Sequence, residues 1–280
     1  MRLLGILLFY LPNWLFYSLS TGFAGILQHI VGYRKAVVKS NISEAFSERT
    51  KQEQAEIAKA FYSHFADVLL ETFALLAFKK GFLKTRITLE NAELLDRLKT
   101  EGKSVVAIGG HTGNWEWLGT ALASLTNYRV LAAYRPLSSQ STDSLMKKIR
   151  EQEGTELVPS HQIYRTILKT KEPILVYLIA DQAPHPDQAF WMSFLGRDTP
   201  VFWGPEKIAR SKEFVVVYLA MKRIRRGHYQ VELRELKDPH ASEQPGAITA
   251  WHVQQLETDI RVSPEAWLWS HKRWKHKRLK

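Results

Sequence analysis

Short apolar runs alternate with predicted helices through the part of the chain that follows residue 100. The runs are long enough for strands and lie at residues 104–108, Arg129–Tyr134, residues 174–180, residues 214–221 and residues 228–236. The segments between and after them are predicted helices, at residues 114–125, 142–153, 162–171 and Ala247–Val262. Apolar strands separated by helices indicate strands that are buried on both faces. We therefore predict an α/β fold with a mostly parallel central sheet flanked by helices.

A longer helix is predicted before the first strand, at residues 53–78. Apolar side chains such as Ile57, Phe61 and Phe65 recur there every three or four residues and form a stripe that faces a core. No internal repeat or low-complexity linker divides the chain that follows. With 280 residues in all, we predict one α/β domain over residues 34–280.

The N-terminal segment is free of charged side chains. From residue 3 to residue 31 there is no Asp, Glu, Lys or Arg, and most side chains are apolar or aromatic. A helix of this length can cross a hydrocarbon core of ~30 Å. We therefore predict that residues 1–33 are a membrane anchor, with a spanning helix as the leading interpretation. Pro12, Gly22 and Gly25 interrupt the segment and keep open a helix that lies in the membrane interface.

The chain is basic, with a formal net charge of +11, and it contains no cysteine. The absence of cysteine excludes disulfides, thiolate zinc sites and a cysteine nucleophile. Arg34, Lys35 and Lys39 follow the apolar segment and favour a cytoplasmic position for the main domain. Two further basic clusters lie at residues 222–226 and 271–280. They suit nucleic acid, anionic lipid headgroups, lipid phosphates or an acidic carrier protein, and composition does not choose among these partners.

Residues 109–117 (GGHTGNWEW) lie where a predicted strand ends and a helix begins. Open α/β sheets bind ligands at such places, and the glycines permit tight turns. His111 carries an imidazole, a group suited to accept a proton near neutral pH. Glu116 is placed to hold the ring and stabilise the imidazolium, as carboxylates do in catalytic triads. The spacing alone does not establish this, because a turn histidine near a first-turn acid also occurs without catalysis.

Three further motifs follow in order. Tyr134-Arg135-Pro136 ends the second predicted strand, Asp181-Gln182 ends the third, and the run WLWSHKRWKHK lies at residues 267–277. Together with the histidine block and the apolar N-terminus, this series resembles the bacterial lipid A biosynthesis (lauroyl/myristoyl) acyltransferase family, within the lysophospholipid acyltransferase superfamily. The resemblance covers nearly the whole chain.

The resemblance implies an O-acyltransferase that moves a fatty acyl group from an acyl carrier protein thioester to a hydroxyl of a lipid A precursor. It implies His111 as the general base with Glu116 as its partner, and Arg135 and Asp181 as substrate-binding residues. Arg135 or backbone amides near residues 110–113 are candidates for stabilising the oxyanion. No metal or organic cofactor is expected, and no grouping of His, Asp and Glu has convincing metal-ligand spacing. The enzyme is expected at the cytoplasmic face of a bacterial inner membrane.

Two other interpretations remain open. The same chemistry can serve another glycolipid, a phospholipid or an aminolipid, with coenzyme A as the acyl carrier. A membrane-tethered nucleic-acid-binding protein would use Trp267, Trp269 and Trp274 for base stacking beside basic phosphate contacts. That interpretation leaves the histidine block and the two strand-end motifs unexplained, so we predict no nucleic-acid partner. Phe202 and Trp203 stand where the resembling family often has small residues, which leaves the acyl chain length undetermined.

Overall fold

A seven-stranded sheet forms the centre of the computed structural model, which describes residues 10–239 and 244–278. The strands, with those of a separate hairpin, are β1 (Ile87–Glu90), β2 (Val105–Gly109), β3 (Arg129–Tyr134), β4 (Glu156–Pro159), β5 (Ile174–Ile179), β6 (Ala189–Phe194), β7 (Arg197–Phe202), β8 (Val215–Arg225) and β9 (His228–Glu235). The strand order in the sheet is β1-β9-β8-β2-β5-β3-β4, and β6 pairs with β7. Neighbours in the sheet are parallel except β8 and β9. The predicted α/β fold with a mostly parallel central sheet is therefore confirmed.

Helices cover both faces of this sheet. They are α1 (Asn13–Gly25), α2 (Lys35–Ala45), α3 (Lys51–Ala74), α4 (Glu93–Thr100), α5 (Trp115–Leu125), α6 (Gln140–Glu151), α7 (Ile163–Lys169), α8 (Gly204–Ser211) and α9 (Ala247–Val262). A π-helix, Ile26–Ile30, continues α1, and short 3-10 helices lie at Phe82–Thr85, Pro186–Gln188 and Pro264–Ala266.

Strand β2 shows why these residues form a two-sided core. All five of its residues are buried. Val105 and Ala107 pack into the cluster under α5, whereas Val106 and Ile108 pack into the cluster on the opposite face. Alternate side chains of a strand point to opposite faces, so an unbroken apolar run fits only a strand that is covered on both sides.

Helix α1 packs against α3 rather than standing apart from the domain. Ala24 is buried in the main core, and two hydroxyls of α1 bind buried carboxylates of α3. The Tyr17 hydroxyl donates to Glu71 at 2.9 Å, and the Ser20 hydroxyl donates to Asp67 at 2.6 Å. Among the described residues, no helix is both long and apolar enough to cross a membrane. The predicted spanning anchor over residues 1–33 is therefore unsupported, and the part of it before residue 10 lies outside the described residues.

The outer face of α1 and its π-helical extension remains apolar. Trp14, Leu19, Ile26 and Ile30 are exposed large hydrophobic side chains. The segment is uncharged because one face of α1 packs on α3, while its other face exposes apolar side chains. A helix lying in the membrane interface remains a prediction for this segment.

The sheet also determines where the functional residues meet. Strands β2, β5 and β3 are adjacent and parallel, so their carboxyl ends lie at one edge. The C-terminal segment crosses the same region, because Thr112 forms an isolated antiparallel bridge with Trp267.

Candidate active site

His111 is held at the end of β2 by a turn that leads into α5. Gly113 has a φ of +58°, and a Cβ built on it would lie 2.9 Å from Met221, so both conformation and space favour glycine. Asn114 caps α5, with its side-chain oxygen accepting from the Trp117 amide at 2.9 Å. Asn114 is a residue type that is strongly preferred at this position, because its side chain satisfies a free amide of the first turn.

The His111 ring is bound by Asp181, at the end of the neighbouring strand β5. The two side chains approach to 2.6 Å between Nδ1 and Oδ1, and the His111 amide donates to Asp181 Oδ2 at 2.7 Å. A carboxylate at this distance makes Nδ1 the protonated nitrogen, which leaves the Nε2 lone pair free to accept a proton. The Gln182 side-chain amide approaches Nε2 at 3.2 Å and donates to it.

Asp181 is held in its ionised form although it is buried. Burial raises the pKa of Asp181, but electrostatic attraction to His111 and hydrogen bonds from His111 and Trp267 outweigh burial and bring the pKa well below its usual range. Trp267 contributes its indole N–H, which donates to Oδ2 at 2.8 Å. The arrangement therefore supplies a fixed negative charge beside an imidazole.

Glu116 does not occupy the position predicted for it. Its carboxylate accepts two hydrogen bonds from Arg150 of α6, with Nε to Oε2 at 2.8 Å and Nη2 to Oε1 at 2.7 Å. The carboxylate that contacts the His111 ring is that of Asp181, because β5 lies directly beside β2 whereas the first turn of α5 faces α6. Among the described residues, the carboxylate partner of the ring is therefore Asp181, and a catalytic role for Glu116 stays a prediction.

Arg135 and Asp181 are brought to the same edge of the sheet but not into contact. Arg135 follows β3, the strand next to β5, and its side chain is exposed. No hydrogen bond or ion pair joins it to Asp181 in the part of the chain that the structure describes. An exposed guanidinium at this edge remains available to a substrate, so its substrate-binding role stays a prediction.

The C-terminal segment completes the site, which the sequence analysis did not foresee. Besides the Trp267 contact with Asp181, the Leu268 amide donates to the His111 carbonyl at 3.1 Å, and the Gly113 amide donates to the Ala266 carbonyl at 3.2 Å. The aromatic residues of the basic tail were the sequence feature that could have indicated this role. They are buried here: Trp267 and Trp269 are almost inaccessible to solvent.

Two buried polar residues of α3 support the same turn from below. His64 Nε2 lies 2.9 Å from the Gly113 carbonyl, and burial lowers the pKa of His64 to about 3, so the ring is neutral and Nε2 donates. Glu71 Oε2 accepts from Asn114 at 2.6 Å and from the Tyr229 hydroxyl at 2.7 Å. The sequence predicted only an apolar stripe on this helix, and these polar residues were missed.

Replacing Glu71 with Gln is expected to make the stability of the protein less sensitive to alkaline pH than that of wild type. Burial raises the pKa of Glu71 from 4.5 to about 7, so folding favours the protonated form. The contribution of this group to the free energy of unfolding is fully present below pH 4.5 and is lost as the pH rises through 7. That pKa difference corresponds to about 3 kcal/mol. The free energy of unfolding of Glu71→Gln, relative to wild type, should therefore increase by about this amount between acidic pH and about pH 8.

Denaturant unfolding at several pH values measures this difference. The exposed Glu48 offers a matched control, since Glu48→Gln should track wild type at every pH. A Glu71→Gln variant whose stability relative to wild type does not change with pH would contradict the prediction.

The chain matches a family model over nearly its whole length. The model, described as bacterial lipid A biosynthesis acyltransferase, covers residues 2–276. The matched region contains the paired His111 and Asp181 as well as Glu116 and Arg135. No curated protein matches the chain.

Proposed function

The chain belongs to the bacterial lipid A biosynthesis acyltransferase family and is an acyltransferase, and we propose that it transfers a fatty acyl group from an acyl carrier protein thioester to a hydroxyl of a lipid A precursor. The observation that carries this proposal is the His111–Asp181 pair at 2.6 Å. It offers a general base, already in the required tautomer, at the edge where parallel strands of an α/β sheet end.

His111 Nε2 removes the proton from the acceptor hydroxyl as its oxygen attacks the thioester carbonyl carbon. Asp181 stabilises the imidazolium that forms. The tetrahedral intermediate then collapses, the C–S bond breaks, and the imidazolium returns the proton to the departing thiolate. Gln182 occupies the hydrogen-bonding position at Nε2, and in this proposal the acceptor hydroxyl displaces it.

The oxyanion of that intermediate needs a donor, and some candidate amides are already engaged. The His111 amide donates to Asp181 and the Gly113 amide donates to Ala266. We therefore assign oxyanion or substrate contact to the exposed Arg135 ahead of those two amides. We propose that Glu116 binds Arg150 rather than the His111 ring.

The basic residues divide into structural ones and ones available to ligands. Arg223 and Arg226 both bind the buried Asp67 carboxylate, at 3.2 Å and 3.0 Å, so they help to fix the fold. Lys272 and Lys275 are exposed in the C-terminal segment. We propose that these two lysines contribute to binding an acidic carrier or an acceptor phosphate.

Attachment at the membrane interface is part of the same proposal. The exposed apolar side chains of α1 and its extension are followed by the exposed basic residues Arg34, Lys35 and Lys39. Such a combination suits anionic lipid at the cytoplasmic face of an inner membrane. It would hold the active site at the level where acceptor hydroxyls emerge.

Transfer of a labelled acyl group, measured by mass spectrometry on purified protein in detergent, tests the function. With an acyl carrier protein thioester and a tetraacylated lipid A precursor, wild type should add the mass of one acyl group. His111→Ala should reduce the rate by about 10²–10⁴-fold, the usual contribution of a positioned base. His161→Ala, at an exposed histidine, should leave the rate unchanged.

Other substrates in the same assay separate the alternatives. Transfer from acyl coenzyme A but not from the carrier protein would show that the donor is wrong. Acylation of a phospholipid, glycolipid or aminolipid in place of the lipid A precursor would keep the chemistry and replace the acceptor. Folded wild type that acylates no lipid from either donor would overturn the proposed function.

A further inference from the structure

A small internal cavity borders Asp181. Its volume is about 10 Å³, roughly the minimum for one water molecule. Most of its wall is apolar, from residues such as Phe194 and Leu256, but Asp181, His252 and Arg273 also line it. Among the described residues of the wall, Asp181 is the only carboxylate and Arg273 the only permanent cation.

Two nitrogen atoms of this wall need a partner. His252 and Arg273 are almost completely buried, with 3% and 1% of their surfaces exposed. Within the described part of the chain, neither His252 Nε2 nor Arg273 Nε has a hydrogen-bond partner. A buried polar group left unpaired is destabilising, because it has lost the hydrogen bonds that it makes with water in the unfolded chain. Both residues line the same cavity, which has room for one water molecule.

Arg273 is fixed as well as buried. Its Nη1 donates to the Pro200 carbonyl at 2.7 Å, and its guanidinium lies 5.7 Å from the centre of the Phe194 ring. Burial lowers the pKa of Arg273 to about 10, and Asp181 acts in the opposite direction, so the group is charged at neutral pH. A buried cation of this kind requires a nearby anion.

We propose that Arg273 is a positioning residue for Asp181: its charge acts on the carboxylate across the cavity that both residues line, and a single water molecule there binds Arg273 Nε and His252 Nε2. The proposal rests on the proposed function, in which Asp181 orients the general base His111. It assigns a role to part of the basic C-terminal tail that charge patterning alone would place on the surface.

The electrostatic consequence follows from the groups around Asp181. The titratable and charged groups that interact electrostatically with it are His111, Tyr177, Tyr218, His252, His271 and Arg273. Burial lowers the pKa of His252 and of His271 to about 4 and raises the pKa of both tyrosines. At neutral pH, Arg273 is therefore the one permanent cation of this group. It favours the ionised carboxylate and opposes protonation of the imidazole beyond it.

Arg273→Met tests this through the pH dependence of acyl transfer. Without the cation, His111 should become easier to protonate, so the acid limb of the pH–rate profile should move up by about 0.5–1 pH unit. The maximal rate should fall about tenfold because the carboxylate is less firmly held. Arg273→Lys keeps the charge and should return the acid limb to the wild-type position. Arg278→Met, at an exposed cation of the same tail, should change neither quantity.

Two further measurements do not depend on activity. The titration of His111 in NMR spectra, assigned with His111→Ala, should show the same upward displacement in Arg273→Met. A high-resolution crystal structure of wild type should show one water within hydrogen-bonding distance of Arg273 Nε and His252 Nε2. The proposal would be overturned if His111 titrates at the same pH in folded Arg273→Met as in wild type, or if the cavity holds no ordered water. Either result would count even if acyl transfer succeeds. Failure of wild type to acylate any lipid would count against the proposed function, and the two structural measurements would still decide the role of Arg273.

Discussion

Asp181→Asn is expected to reduce kcat for acyl transfer by about 10³–10⁴-fold while the protein stays folded, as in triads whose Asp is replaced by Asn. Asp181 Oδ2 accepts from the His111 amide and from the Trp267 indole, so the Asn carbonyl oxygen must take that position. The Asn NH₂ group then faces His111 Nδ1 and donates to it. Nδ1 must become the acceptor, the ring proton moves to Nε2, and the base loses the lone pair that it needs.

The kcat of Asp181→Asn and of a matched variant, each checked for folding by circular dichroism, measures this effect. Asp187→Asn removes a carboxylate of the same chemistry that is 85% exposed and should retain the wild-type kcat. Asp181→Asn with a kcat within about tenfold of wild type would mean that the tautomer is not set by this contact, and the His111 assignment would need another partner.

The long apolar strands were the part of the fold that the sequence predicted well, because burial on both faces leaves an unbroken signal. Short elements gave no such signal: β1 and β4 have four residues each. The β6–β7 hairpin was missed for another reason. Its turn places Leu195 and Gly196 at φ of 51° and 74°, and a leucine in the left-handed region is not a residue by which such a turn is recognised.

The sequence located candidate site residues but did not predict which of them contact each other. His111 and Asp181 could each be found at a strand end, but their contact depends on β5 lying beside β2, which is a matter of strand order. The five-residue spacing of His111 and Glu116 favoured a local pair, and tertiary structure replaced it with one 70 residues apart in sequence. The contact of Trp267 with Asp181 joins residues 86 apart in sequence, and it too was not predicted.

A similar limit explains the N-terminal segment. An uncharged run is equally consistent with a spanning helix and with a helix that has one face on the protein and the other exposed. The deciding contacts are those of Tyr17 and Ser20 with α3. They use hydroxyls, which a hydropathy pattern does not distinguish from solvent-facing polar residues.

Arg150→Met is expected to destabilise the protein by about 2–4 kcal/mol, somewhat less than the loss of one partner from a fully buried pair. The Glu116 and Arg150 side chains are only 15% and 25% exposed and are joined by two hydrogen bonds. Removing Arg150 leaves the Glu116 carboxylate largely buried without its cation. Glu116→Gln in the Arg150→Met background removes that stranded charge, so the double variant should be more stable than Arg150→Met alone. Denaturant unfolding of the four proteins gives the coupling energy directly.

The same four proteins distinguish the two roles of Glu116 when their kcat values are compared. If Glu116 acts only by holding Arg150, then whatever effect Glu116→Gln has on kcat in the wild-type background disappears once Arg150 is Met. If Glu116 instead acts on His111, then Glu116→Gln must lower kcat by the same factor in wild type and in Arg150→Met, because its effect would not depend on Arg150. We expect the first result, since the Nδ1 position of His111 is filled by Asp181 and both oxygens of Glu116 are bound by Arg150. Independent effects would show that Glu116 reaches the base during the reaction and would restore the role that the sequence first suggested for it.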